Sequence, residues 1–313
     1  MHLLIPFASA LSEASSHVLS DLHLPNLARL LARLTPATLD AGDEYSLSPP
    51  HERALAAAWG WRGDDGALPF AAHAAALDGV SVGALAWGLV TPAHWHVGRE
   101  HVTLADPEAL QLTEAESRAG FEAVRELFES EGFTLVWAAP SRWYAAHPSL
   151  AELPCAALDR VIGRNVDLWI RPGPKANPQA RLLRRLQSEV QLLLYPHALN
   201  DEREQRGALT LNSFWLSGCG RRQTTVANDL VVNDTLRAPL LAQDWAAWAD
   251  AWRALDRAAL ASLLAAAQAG EPASLTLCGE RSAQRFDNAT RSRWQQLGSR
   301  FKSPAPHTIL EAL

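Results

Sequence analysis

Runs of apolar residues alternate along the chain with segments whose apolar residues recur at helical spacing. Short apolar runs, which are typical of strands, occur at residues 2–7, 80–90, 102–104, 133–138, 165–170, 209–216 and 274–278. Helical spacing, with apolar residues three and four positions apart, occurs over residues 9–34, 51–61, 113–132, 179–194, 244–267 and 288–301. Because strands alternate with helices, the pattern predicts an α/β fold with a central mixed sheet flanked by helices.

The helix that begins after Thr113 carries the most specific local signals. Thr113 and Glu116 have the spacing of a capping box, in which each side chain accepts the other residue's backbone N–H. Phe121 and Val124 belong to its apolar stripe, and Gly132 is suited to the end of a helix. We therefore expect a helix that begins after Thr113 and ends at Gly132.

One segment of the chain is a candidate linker. Residues 172–178 read Pro-Gly-Pro-Lys-Ala-Asn-Pro, a composition that disfavours both helix and strand. We predict a single α/β domain over residues 1–313. The alternative is two subdomains, residues 1–171 and 179–313, joined by this segment.

Composition and charge bear on the class of function. The formal net charge of −6 argues against nucleic acid as a partner, because nucleic-acid binders carry a basic excess. No apolar run of about eighteen residues is present, so we expect no membrane span. Cys155, Cys219 and Cys278 are far apart and odd in number, which indicates reduced thiols and a cytoplasmic location rather than a disulfide framework.

The strongest candidate site lies between residues 171 and 222. This segment holds nine basic and four acidic residues, a local excess of +5 in a chain of net charge −6. Glycines that follow a strand let backbone N–H groups approach an oxyanion, and arginine supplies the opposite charge. We predict a site for an anionic small molecule, such as a phosphometabolite, formed by Asn200, Arg203, Asn212, Ser213, Gly218 and Gly220. The alternative is a tight turn whose polar side chains bond to the backbone.

Two histidines are the best candidates for metal ligands. His94 and His96 would point to the same face of a strand, and two imidazoles with an acid suit zinc. The sequence offers no third ligand at a clear spacing, so we predict neither a metal nor another cofactor. No base accompanies Cys219 in the sequence, so we predict no catalytic nucleophile.

Tryptophans cluster on one predicted helix. Trp245, Trp248 and Trp252 lie near one face of the helix over residues 244–267. Interior packing is the first interpretation, and a surface that docks a protein partner is the alternative. Stacking on nucleic-acid bases would need a basic groove, whereas aspartates flank this helix.

The segment from Gln187 to Gly220 resembles the signature of a known family. Its residues 187–200 read QSEVQLLLYPHALN, and residues 212–220 read NSFWLSGCG. Members of this proteobacterial family are labelled RpfE-type regulatory proteins or cofactor-independent phosphoglycerate mutases. Residues 91–99 and 106–113 also match it, and the resemblance extends over about residues 45–280.

The same segment is similar to a substrate-side segment of the archaeal-type phosphoglycerate mutases, which implies a degenerate alkaline-phosphatase-like architecture. Those enzymes need an early Asp-Gly metal motif, a Ser or Thr nucleophile, and late Asp and His ligands for two divalent metals. This chain has Pro6 and Phe7 after its first strand, and His197 is the last histidine before His307.

Without those ligands, two-metal phosphoryl transfer is not expected. We therefore predict a soluble cytoplasmic protein with a non-catalytic or regulatory role. The alternatives are a phosphoglycerate mutase-like enzyme that acts on a phosphorylated metabolite, and a protein-interaction module that uses the Trp-rich helix.

Overall fold

The fold is given by a computed structural model that describes residues 1–170, 178–288 and 305–313. The chain forms two compact units, one of Met1–Gly60 with Thr225–Leu313 and one of Trp61–Thr224. The predicted linker falls inside the second unit, and its residues up to 177 lie outside the described residues. The number of domains stays a prediction.

The helices and strands are numbered in chain order. The chain up to residue 60 forms β1 (His2–Ile5), α1 (Glu13–Asp21), α2 (Pro25–Leu31), β2 (Thr35–Asp40) and α3 (Pro50–Ala58). The second unit forms α4 (Phe70–Leu77), β3 (Ala86–Ala93), β4 (Trp95–Val97), β5 (Val102–Leu104), α5 (Glu114–Ser130), β6 (Thr134–Ala139), β7 (Arg142–Ala146), α6 (Leu158–Val161), α7 (Pro178–Leu194), α8 (Ala198–Gln205) and β8 (Ser213–Arg221). The remainder forms β9 (Leu230–Val232), α9 (Arg237–Leu241), α10 (Trp245–Leu255), α11 (Ala261–Ala269), β10 (Ser274–Cys278), β11 (Ala283–Asp287) and α12 (Pro306–Glu311).

The first unit contains a five-stranded mixed sheet in the order β2-β11-β10-β1-β9. β1 is parallel to both β10 and β9, whereas β11 is antiparallel to β10 and to β2. The predicted α/β fold with a mixed sheet flanked by helices is therefore confirmed.

Alternation along these strands gives the mixed sheet two different faces. One face is apolar and packs against α1, α2, α10 and α11 through a core that includes Leu3, Ile5, Leu275, Leu277 and Phe286. The opposite face carries Leu4, Cys278 and Ala283, which pack against Ala54 and Leu55 of α3. Among the described residues, the short helix α3 covers only part of this second face.

The second unit is organised around a four-stranded antiparallel sheet in the order β6-β7-β3-β8. α5 and α7 pack against this sheet and share one apolar core with it. The core includes Phe121, Val124, Phe128, Leu186, Val190, Trp143 and Phe214. A separate cluster joins α4 to this sheet through Ala71, Ala72, Ala75, Trp87 and Tyr144.

Several predicted elements differ from the observed ones. The helix predicted over residues 9–34 is two helices, because α2 begins at Pro25, which has no N–H for the preceding helix. The strand predicted over residues 165–170 is wrong: Val166–Leu168 form a 3-10 helix whose first turn is capped by the Asn165 side chain. The helix predicted over residues 288–301 falls almost wholly outside the described residues.

Candidate functional site

Arg203, the central cation of the predicted anion site, lies in the protein interior. Its side chain is 0% exposed, and its Nε donates to the Leu209 carbonyl at 2.6 Å. Nη1 donates to Glu116 Oε1 at 2.7 Å, and Nη2 donates to the Leu110 carbonyl. Each of its three nitrogens thus bonds to protein, so the guanidinium joins α8 to α5 and to the segment before α5.

The two asparagines of the predicted site bond to the main chain. Asn200 is 4% exposed, and its Nδ2 donates to the carbonyls of Leu194 and Leu211, both at 2.8 Å. Its Oδ1 accepts the Leu211 N–H at 2.8 Å. Asn212 bonds to Trp95 in the same way, with Oδ1 accepting its N–H at 2.7 Å and Nδ2 donating to its carbonyl at 3.0 Å.

Ser213 and the two glycines are also explained by packing. Ser213 is 1% exposed, and its hydroxyl accepts from the amide of Gln191 at 3.4 Å. Gly218 has φ +62°, and a Cβ there would lie 2.9 Å from the backbone nitrogen of Ala71. Gly220 similarly approaches the residue that precedes α4. The glycines therefore let α4 pack against β8, and ligand binding at the predicted residues gains no support from these contacts.

Glu116 links the arginines of α8 to the N-terminus of α5. The predicted capping box is confirmed, because the Thr113 side chain accepts the Glu116 N–H and Glu116 accepts the Thr113 N–H. Burial opposes ionisation of Glu116, but hydrogen bonds from Thr113, Arg206 and Arg203 outweigh it and lower its pKa to about 2.

This depressed pKa predicts an acid-sensitive second unit. Because the folded pKa lies below the ordinary value of 4.5, the ionised Glu116 contributes stability that is fully present above pH 4.5 and is lost as the pH falls towards 2. The contribution is roughly 3 kcal/mol. Urea unfolding measures the free energy of unfolding of the wild-type protein and of Glu116→Gln at pH 6 and at pH 3. The difference in this free energy between the two proteins should be smaller at pH 3. An equal difference at both pH values would contradict this account.

The two histidines considered as candidate metal ligands, His94 and His96, lie near the start of β4. Nδ1 of His94 is 2.8 Å from the Thr210 carbonyl oxygen and 3.1 Å from the Thr210 hydroxyl, whereas His96 is exposed. The ring centroids of the two histidines are 6.4 Å apart. Within residues 1–170, 178–288 and 305–313, no group of three or more His, Cys, Asp or Glu residues is placed to hold a metal ion.

The Trp-rich helix packs inward. Trp248 and Trp252 are both 0% exposed and belong to the core of the first unit. Nε1 of Trp248 donates to the Phe7 carbonyl at 3.2 Å. These side chains are therefore unavailable for docking, and a protein partner stays a prediction without support from this helix.

A cleft on the open face of the mixed sheet is the best candidate site of the first unit. It encloses about 400 Å³, a volume in the range of small-molecule sites. Its apolar wall comes mainly from Leu39, Ala54, Ala57 and Ala58. Its polar lining consists of His2, Thr38, Asp40, Arg53, Thr276 and Arg285.

The two arginines of the cleft differ in how fully they are bonded. Arg53 donates to Asp40 at 2.7 Å, to the Ser48 carbonyl at 2.6 Å and to the Arg281 carbonyl at 3.1 Å. The Arg285 side chain is 43% exposed and donates to the Ser274 hydroxyl at 3.3 Å. Its Nε makes no hydrogen bond with any residue that the structure describes, and the Asp287 carboxylate is 4.0 Å away. This Nε is itself buried, so a ligand would reach Arg285 through the exposed part of its guanidinium, since the side chain as a whole is 43% exposed.

A neutral imidazole and a hydroxyl lie beside Arg285. Nε2 of His2 is 2.8 Å from the Thr276 hydroxyl, and Thr276 pairs directly with Arg285 across β10 and β11. Burial and the nearby guanidinium lower the pKa of His2 from 6.5 to about 4, so its ring is neutral at pH 7. The cleft therefore presents the Arg285 guanidinium beside an imidazole and a hydroxyl, and its nearest charged partner is the Asp287 carboxylate at 4.0 Å.

The hydroxyl and imidazole also have the chemistry of a nucleophile and its base. Thr276 is 4% exposed, however, which leaves its hydroxyl little access to a substrate. The Asp229 carboxylate, whose charge acts on His2, pairs with the amino group of Met1 at 2.5 Å. The arrangement is therefore better suited to holding a ligand than to attacking one.

Sequence reasoning missed this cleft. Its polar residues come from β1, β2, α3, β10 and β11, which lie at opposite ends of the chain. The available signal was the polar residues His2 and Thr276 in otherwise apolar strands. These two residues indicate a shared site only once β1 is known to pair with β10, because that pairing brings them into one sheet.

No helix in the described parts of the chain is long and apolar enough to cross a lipid bilayer.

Comparisons with known proteins add little to this geometry. No protein-family model matches the chain, and no curated protein matches it. A cofactor-independent phosphoglycerate mutase from Thermoplasma acidophilum is similar at 12% identity over 99% of this chain and 98% of that chain, with a TM-score of 0.39. The PH0037 protein from Pyrococcus horikoshii is similar at 12% identity over 95% of this chain and 92% of that chain, with a TM-score of 0.44. At these values neither structure supports a statement about activity, and membership of the RpfE-type family stays a prediction.

Proposed function

We propose that this protein is a cytoplasmic, non-catalytic binding protein that takes a small anionic metabolite into the cleft of its first unit. The observation that carries the proposal is the Arg285 guanidinium, incompletely bonded among the described residues and facing a cleft of about 400 Å³. Unlike Arg203, it is 43% exposed and therefore within reach of a ligand.

The lining indicates the kind of ligand. A carboxylate or phosphate would accept charge-assisted hydrogen bonds from Arg285, which are stronger than neutral ones. The Thr38 and His2 side chains add uncharged polar contacts, and the alanines of α3 provide an apolar wall for the body of the molecule. Small organic acids and phosphate esters share this combination of an anionic group and a compact carbon frame.

Substitution of Arg285 tests the proposal. We expect calorimetric titration of the wild-type protein with inorganic phosphate and with 3-phosphoglycerate to show binding of at least one of them. Arg285→Gln should weaken that binding about tenfold or more, because it removes a charge-assisted contact. The substitution keeps a polar side chain at a partly exposed position, so it should leave the fold intact.

Arg257→Gln is the matched control, since Arg257 is an exposed arginine of the same unit, next to the helices that cover the opposite face of the sheet. It should bind the same ligand as the wild-type protein does. Equal affinity in Arg285→Gln and wild type, or equal losses in both variants, would refute the cleft as the anion site.

Enzymatic activity is tested separately from binding. A non-catalytic protein should not convert 3-phosphoglycerate to 2-phosphoglycerate when manganese is supplied. Conversion that rises with protein concentration, and that an inactivated preparation lacks, would replace the proposed role by the phosphoglycerate mutase-like alternative.

A further inference from the structure

Two thiols of the second unit lie side by side in its interior. The Sγ atoms of Cys155 and Cys219 are 3.6 Å apart, and the two residues are 8% and 0% exposed. Cys219 belongs to β8, whereas Cys155 lies in the loop that precedes α6. The residues are 64 positions apart in sequence, so the contact joins two separate segments.

The backbone on both sides of this thiol pair is well anchored. The Cys155 N–H donates to the Gly66 carbonyl at 2.9 Å, and the carbonyl of Ala156 accepts from Nε1 of Trp215 at 2.9 Å. The Cys219 sulfur packs above Gly88, where a Cβ would lie only 3.1 Å from it. The two sulfur atoms are thus held in contact by groups that do not depend on a covalent bond.

A small cavity reaches the Cys155 side of the pair. It has a volume of about 40 Å³ and is lined by residues that include Cys155, Trp169, Gln187 and Trp215. Such a space is large enough for a molecule of about the size of water. Hydrogen peroxide is only slightly larger than water, so the cavity has room for this oxidant beside Cys155.

We propose that Cys155 and Cys219 form a reversible disulfide when the protein meets a hydroperoxide. The Cys155 sulfur attacks one peroxide oxygen, the O–O bond breaks, and a sulfenic acid and a water molecule form. The Cys219 sulfur then displaces the hydroxyl group of the sulfenic acid, which forms the S–S bond and releases a second water. The thiols lose two electrons and two protons, and the peroxide is reduced to two waters.

The environment of the two thiols sets the order of these steps. The hydrogen bond with Cys155 and complete burial raise the pKa of the Cys219 thiol, which makes it the poorer first nucleophile. Cys155 lines the cavity and meets the oxidant first. Cys219 therefore acts on the oxidised Cys155, which lies within contact distance.

Thiol trapping of the wild-type protein tests the inference. After exposure to hydrogen peroxide, denaturation and alkylation, we expect Cys155 and Cys219 to be protected and Cys278 to be alkylated. Mass spectrometry of the unreduced digest should show one peptide pair that links residues 155 and 219, and dithiothreitol should abolish it. Cys278 is the internal control, because it is also buried but lies in the other unit.

Variants separate this pair from other oxidation chemistry. Cys278→Ser should still form the link, whereas Cys155→Ser should leave Cys219 open to alkylation after the same treatment. Peroxide that oxidises Cys155 to a sulfinic acid without any link to Cys219 would overturn the proposal, as would a link that contains Cys278. The wild-type measurement decides the question even if a variant fails to fold.

Discussion

Replacement of Arg203 by methionine should destabilise the second unit by about 3–5 kcal/mol, the range expected when one partner of a buried ion pair is removed. The substitution keeps most of the side-chain volume but removes the bonds to Glu116 and to the carbonyls of Leu209 and Leu110. The Leu110 carbonyl in the interior and the Leu209 carbonyl then lose a donor, and Glu116 loses its buried partner. Urea unfolding followed by far-UV circular dichroism measures the change.

Arg206→Met is the matched control for this prediction. Arg206 lies just after the same helix and contacts the same oxygen of Glu116, but its side chain is 51% exposed. Exposed ion pairs contribute less than about 1 kcal/mol, so this variant should remain close to wild type. Arg203→Met could instead be as stable as Arg206→Met and fail to bind the anion. That result would show that Arg203 binds the ligand and would contradict the structural role assigned to it here.

Replacement of Asp256 by alanine should destabilise the first unit by about 3 kcal/mol. The Asp256 side chain, 2% exposed, accepts the N–H groups of Asn26 at 3.2 Å and of Leu27 at 2.8 Å. These are donors of the first turn of α2, whose own N-cap residue, Leu24, provides no side-chain acceptor. Alanine leaves both donors without this acceptor, and the one at Leu27 is buried. Thermal or urea unfolding measures the resulting loss of stability.

Two further variants define the cause of the Asp256 effect. Asp256→Asn keeps one side-chain acceptor and should recover part of the loss. Asp250→Ala removes an aspartate of α10 whose side chain is 78% exposed, and it should change stability by less than about 1 kcal/mol. Equal stability of Asp256→Ala and Asp250→Ala would show that the carboxylate does not cap α2.

Local signals predicted local structure well. The capping box of Thr113 and Glu116 starts α5 because both halves of it lie within one turn of chain. The spacing of Leu186 and Val190 likewise identified a helix that packs inward. Such patterns depend on residues a few positions apart, so one sequence contains all the information they need.

The role of the mid-chain polar residues depended on tertiary contacts instead. Asn200, Arg203 and Asn212 have the composition of an anion site, but the groups they bond are main-chain atoms and, for Arg203, also the Glu116 carboxylate, all brought near by folding. The same polar side chain serves a ligand or a carbonyl, and sequence alone does not distinguish the two. The cleft around Arg285 was missed for the converse reason, because its residues become neighbours only in the folded sheet.

The most direct test of the central claim is to locate a bound anion. Anomalous diffraction from a crystal soaked in tungstate, a heavy analogue of phosphate, gives that position without an assumption about the natural ligand. The account predicts an ion in the cleft of the first unit, within hydrogen-bonding distance of the Arg285 guanidinium. An ion bound instead beside Asn212 and Gly218, with the cleft empty at saturating tungstate, would contradict it.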